Sequence, residues 1–103
     1  MVPDEQLLNR IRAILAGRAE VAEKRMVGGR SFIVGGWMAC GVTGDALMVR
    51  VSAKERSAVL REPHVRPMTL GGRELAAYVL VDPAGCSTDA RLRAWIERGI
   101  GAT

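Results

Sequence analysis

The 103-residue chain is poor in aromatics, in lysine, in histidine and in cysteine, and it has no long apolar run. Phe32, Trp37, Tyr78 and Trp95 are its only aromatics, so a core must be built mainly from Leu, Ile, Val, Met and Ala. One histidine, His64, and two cysteines far apart in the chain, Cys40 and Cys86, cannot supply the four ligands of a structural zinc site. No stretch approaches the ~20 apolar residues of a membrane-spanning helix, and no apolar signal segment is present. These absences lead us to expect a soluble, cytoplasmic chain with reduced thiols and no cofactor. Neither G-x-G-x-x-G nor G-x-x-x-x-G-K-[ST] occurs, which removes the usual phosphate-cradling loops.

What remains is ordinary globular usage, 49% hydrophobic and 25% charged, in a length that fits one domain spanning residues 1–103. A chain of this size buries roughly 65% of the surface its unfolded form exposes, enough for a single core. The net charge is +4, and only Lys24 and Lys54 are lysines among fifteen basic residues. The arginines are scattered. Polyanion binders concentrate their charge, because counterion release scales with the phosphates contacted together.

Residues 4 to 16 have apolar side chains at helical spacing, Leu7, Leu8, Ile11, Ile14 and Leu15, with Asp4 suited to the start and Gly17 to the end. After a connector over 18 to 23 the rhythm changes. In "MVGGRSFIVGGWMACGVTGD" each run between glycines has strand length, and the glycines lead into further β-rich runs rather than into a helix N-terminus. The pattern predicts strands from Lys24 to Val27, Arg30 to Val34, Trp37 to Val42 and Ala46 to Val51. Turns at Gly28-Gly29, Gly35-Gly36 and Thr43-Gly44-Asp45 join them into a meander.

"SAKE" at 52 to 55 has the form of a capping box, opening a helix to about Arg61 with Val59 and Leu60 as its apolar contacts. Pro63 and Pro67 bracket a connection that is neither a central strand nor a helix interior. A short strand, a Gly71-Gly72 turn and a strand from Ala77 to Val81 follow. Ser87 or Thr88 then caps a closing helix with Leu92, Trp95 and Ile96 on one face, frayed by Gly99 and Gly101. The order α-ββββ-α-ββ-α, with helices and strands segregated, predicts an α+β fold of two layers, an antiparallel meander sheet with helices packed mainly on one face.

Candidate functional residues gather on the meander. Lys24, Arg25 and Arg30 flank its first hairpin, and Arg50 closes its fourth strand. Period-two alternation sets Leu47, Val49 and Val51 on one face and Met48 and Arg50 on the other. Such a cluster suits an acidic protein, a small anion or a nucleic-acid backbone, or else an exposed face neutralised by Glu23, Asp45 or Glu74. Trp37, directly after a Gly-Gly turn, suits a partner interface. Cys40 is expected to share a core face with Met38 and Val42. Cys86 precedes a helix start, where the dipole lowers a thiol pKa, but it has no resolving partner. His64 is expected to be a solvated loop residue, since only Glu62 stands near it in the chain as an orienting acid.

Several of these segments together resemble the N-terminal domain family of TfoX, the competence regulator also called Sxy. They are "EKRMVGG" (23 to 29), Phe32, "GGWMACGV" (35 to 42), "DALMVRV" (45 to 51), "RPM" (66 to 68), "YVLVDP" (78 to 83) and "LRAWIERG" (92 to 99). The resemblance implies a two-layer α+β domain similar to type III secretion chaperones. Its better-known relatives are two-domain proteins that promote expression of DNA-uptake genes together with the cAMP receptor protein. The family has no established catalytic residues. The resulting expectation is a stand-alone, non-enzymatic regulatory module of a bacterial cell that binds a protein, with a homodimer among its possible arrangements. The alternative is nucleic-acid binding through Lys24, Arg25, Arg30 and Arg50.

Overall fold

The computed structural model describes residues 3–26 and 29–102. Helix α1 (Glu5–Leu15) is followed by strands β1 (Val21–Met26), β2 (Gly29–Val34), β3 (Trp37–Thr43) and β4 (Ala46–Arg50). A single-turn helix α2 (Arg56–Val59), strands β5 (Val65–Leu70) and β6 (Arg73–Val81), a 3₁₀ turn at Pro83–Cys86 and helix α3 (Asp89–Gly101) complete the chain. All strand pairings are antiparallel, in the order β1-β2-β3-β4-β6-β5. The element order and fold class agree with the sequence reading.

Local chemistry explains the boundaries. The Asp4 carboxylate accepts hydrogen bonds from the backbone N–H groups of Gln6 and Leu7, at 2.9 and 3.3 Å, and so caps α1. Thr88 does the same for α3 by accepting from the N–H of Arg91 at 3.2 Å. Gly35 and Gly36 both take positive φ, 60° and 90°, as a two-residue hairpin loop that follows the strand twist requires. In the capping box, Ser52 Oγ accepts from the N–H of Glu55, but Glu55 does not reach back and the helix proper is only α2.

The core lies between the helices and one face of the sheet. Leu7, Leu8, Ile11 and Leu15 of α1 and Leu92, Trp95 and Ile96 of α3 meet Phe32, Cys40, Val42, Leu47, Val49, Val79 and Val81. Burying side chains of this size contributes ~1.5–3 kcal/mol each. Helix α3 crosses β3 at Gly99, where a Cβ would stand 2.2 Å from the Ala39 carbonyl oxygen. Gly99 is therefore a site of close helix–strand approach within a continuous helix, not the fraying point expected.

Four further expectations are corrected. Strand β1 starts at Val21, inside the expected connector, because Val21 pairs with Val34 and packs on the core. The "PHVRP" connection contributes Val65, Arg66 and Pro67 to β5; this is an edge strand with a register shift next to Pro67, where proline is tolerated. Strand β6 begins at Arg73 rather than Ala77. Gly29 is a ladder residue opposite Met26, with Val42 O only 2.0 Å from where its Cβ would be; the rest of that expected turn, at Gly28, lies outside the described residues. Among the described residues, no helix is long and apolar enough to cross a membrane.

Candidate binding face of the sheet

The second face of the sheet carries an apolar cluster of its own. Ala46, Met48 and Leu80 are buried there, with Met38 and Met68 packed against them, and no helix residue joins them. Met38 reaches this face through a β-bulge. Phe32 pairs with Cys40 while Ile33 pairs with Met38, which leaves Ala39 as the extra residue in β3. Cys40 and Val42 stay in the main core, so the expected grouping of Met38 with them is overturned.

Register extends the face to the sheet edge. Lys24 pairs with Ser31, Ser31 with Gly41 and Gly41 with Met48, so Lys24 and its neighbour Met26 in period two lie on the outer side. Met26 is 47% exposed and covers Ser31, whose hydroxyl donates to the Met26 sulfur. Four of the five methionines, Met26, Met38, Met48 and Met68, therefore belong to one face. Methionine is flexible and polarizable, and it is favoured where a surface must fit varied partners.

At this face Arg50 lies between two aromatic rings. Its guanidinium carbon is 5.2 Å from the Trp37 ring centroid and 5.6 Å from that of Tyr78, and Nη1 donates to the Tyr78 hydroxyl at 3.0 Å. The Arg50 Nε is buried without a hydrogen-bond partner. Trp37 is 54% exposed.

The other sequence candidates do not converge with this pair. Lys24 shares the outer face but sits on β1, three strands from β4, or about 14 Å across the ladder. Arg25 and Arg30 are opposite each other on the helix side, since Arg30 pairs with the core residue Val42. Arg30 Nη1 donates to Glu23 at 2.6 Å, and Arg12 of α1 grips the same carboxylate at 2.6 and 2.8 Å. Glu23 is held down to about 2, first by the hydrogen bond from Arg12 and also by that from Arg30, against the upward push of burial. The expected neutralisation by Glu23 thus applies to Arg30, whereas Glu74 is paired with Arg56 instead. Tyr78, Met38 and Met68 escaped sequence reasoning; only the alternation through Met48 and Arg50 pointed to this face.

The remaining reactive groups are quiet. Burial pushes the Cys40 thiol up to about 12 and also raises that of Cys86, opposite in direction to the helix-dipole effect considered for it. His64 is exposed, with φ 66°, at the rim of a cleft of about 390 Å³ beside α3. In that cleft Glu62 and the Trp95 ring are both occupied by Arg98, which donates to Glu62 at 2.6 and 3.0 Å and stacks 4.3 Å from the indole.

The model of the TfoX N-terminal domain matches residues 13–103 of this chain. The chain belongs to the TfoX N-terminal domain family. Comparisons with curated proteins and with solved structures give no match. Membership makes this a regulatory domain of TfoX type. The match includes every strand, α2 and α3, and therefore every residue of the outer face of this TfoX-type domain.

Proposed function

We propose that this TfoX-type domain is a non-enzymatic regulatory module that binds a protein through the outer face of its sheet, in the setting of competence and transcription control that its family suggests. The observation that carries this reading is the concentration of four methionines, Leu80 and a half-exposed Trp37 on a sheet face that no helix covers. Met26 and Trp37 are exposed there, beside a layer of Ala46, Met48 and Leu80 that is itself buried, and exposed apolar side chains grouped in this way suit an interaction surface. Flexible methionines and an exposed indole are the side chains that such surfaces favour.

Nucleic-acid binding is less well supported. Lys24 and Arg50 are separated by three strand spacings, Arg25 is on the opposite side, and Arg30 is already neutralised. A polyanion would find no contiguous basic track among them.

The test compares affinity capture from native cells by the wild-type domain, by a Trp37→Ser/Met68→Ser variant and by an Arg93→Ser variant on α3. The expected result is a defined protein partner retained by the wild type and by Arg93→Ser but lost by the outer-face variant. A partner retained equally by all three folded proteins would refute the assignment of this face.

A further inference from the structure

We infer that the partner contributes a carboxylate, from an Asp or Glu flanked by apolar residues, which pairs with the Nε–Nη2 edge of Arg50. This inference rests on the outer face being the binding surface and adds the chemistry of what binds there. Arginine offers five N–H donors in a planar fork, and the Nε–Nη2 edge matches the two oxygens of a carboxylate. In Arg50 the opposite end of the fork is committed, with Nη1 donating to the Tyr78 hydroxyl. Nε has no acceptor among the described residues, although it is buried, and a buried donor left unpaired costs free energy. The unpaired edge is thus the part of Arg50 that gains most from an incoming acceptor.

The surroundings define the rest of the ligand. Trp37 and Tyr78 flank the guanidinium and fix its plane. Trp37 is more than half exposed, whereas Tyr78 is partly buried within β6, so Trp37 is the flanking ring that a partner meets first, and local side-chain movement must admit its carboxylate to the buried Nε. Next to this position the exposed Trp37 ring and the partly buried Met38 supply apolar surface for the residues on either side of the acid, over the buried Met48 and Leu80.

Charge argues against a second copy as the occupant. The side chains on the outer face include Lys24, Arg50 and Arg66, of which Arg66 alone is paired, with Asp82 at 3.0 Å. Two copies meeting through this face would bring Lys24, Arg50 and Arg66 against one another, and Asp82 beside them is already paired with Arg66. A different chain with acidic and apolar residues is complementary to it.

The experiment titrates the 103-residue chain with two synthetic peptides, acetylated and amidated, in which Leu and Met flank a single central Glu or Gln. Backbone, Trp37 indole and Arg50 Nε–H resonances are followed by NMR. The Glu peptide is expected to move the Arg50 Nε–H signal and to bind about tenfold or more tightly than the Gln peptide, the difference made by a charge-assisted pair. Arg50→Lys, which keeps the charge and loses the fork, should remove that preference while the fold, checked by its amide spectrum, persists.

If both peptides perturb Trp37 and the methionine methyls equally and leave the Arg50 Nε–H unmoved, the carboxylate assignment fails and the binding face stands. If neither peptide touches the outer face, and the native partner of the wild type is retained by the outer-face variant, both fail. Salt-sensitive shifts of Arg50 and Lys24 with a DNA duplex, without a response to the Glu peptide, would make a nucleic acid the occupant. Concentration-dependent shifts of the same signals without any peptide would make it a second copy. Either result overturns the inference.

Discussion

Replacing Gly99 by alanine tests the contact that joins the two layers. In an isolated helix the change is favourable by about 1 kcal/mol, because alanine has the better helix propensity and restricts the unfolded chain. Here the new methyl group would lie 2.2 Å from the Ala39 carbonyl oxygen and 3.1 Å from its carbon, both of them backbone atoms of the bulge in β3. A carbon–oxygen contact needs about 3.3 Å, so α3 and β3 must separate locally by about 1 Å. The displaced helix carries Leu92, Trp95 and Ile96, and overpacking of a close-packed core costs about 1–3 kcal/mol, occasionally more. The clash outweighs the propensity gain. Gly101→Ala, two residues on in the same helix, meets nothing within 4 Å and should be neutral or stabilising by a few tenths of a kcal/mol. Urea unfolding followed by circular dichroism reads both. A loss of about 1–3 kcal/mol for Gly99→Ala is expected. Equal or raised stability in both variants would show that α3 does not approach β3 as described.

Other outcomes follow from the electrostatics and the caps. Glu23 has a folded-state pKa below its ordinary value, so its stabilising effect is complete above about pH 4.5 and is lost as the pH falls through about 2. The ion pairs are partly exposed, which limits the effect to about 1 kcal/mol. Urea midpoints should therefore fall less steeply over this range for Glu23→Gln than for the wild type; parallel profiles would remove the carboxylate's role. Cys40 is fully buried with its pKa pushed up to about 12, so an aromatic disulfide reagent should modify it only at the rate of unfolding. Rapid modification of Cys40 in the native protein would contradict that burial. Asp4→Ala removes the α1 cap and should cost about 1 kcal/mol in the same denaturation assay, whereas no change would mean that the Asp4 hydrogen bonds are dispensable.

Most of the architecture was legible because periodicity and turn chemistry agree along the chain. The apolar spacing in α1 and α3 and the Gly35-Gly36 and Gly71-Gly72 turns all coincide with observed elements. Strand β1 was read short because its exposed side chains, Ala22 to Met26, have no apolar alternation; its place comes from pairing with β2. Met38 was assigned to the wrong face because a single bulged residue, Ala39, breaks the alternation between Cys40 and Met38. No local signal at Ala39 announces the bulge. The same limit hid the site. Alternation correctly placed Met48 and Arg50 together, but Tyr78, Leu80 and Met68 join them only because β6 inserts between β4 and β5. Conversely, Arg25, Arg30 and Lys24 are close in sequence, and strand alternation sends them to different faces.

Site-specific photo-crosslinking in the native cell tests the binding face most directly. A photoreactive residue is placed in turn at Met26 and Trp37 on the outer face, and at Arg91 and Arg93 on α3. Protease-sensitive adducts of defined mass are expected from Met26 and Trp37 and none from the α3 positions. Adducts from Arg91 or Arg93 alone, or nuclease-sensitive adducts from the outer face, would contradict this expectation.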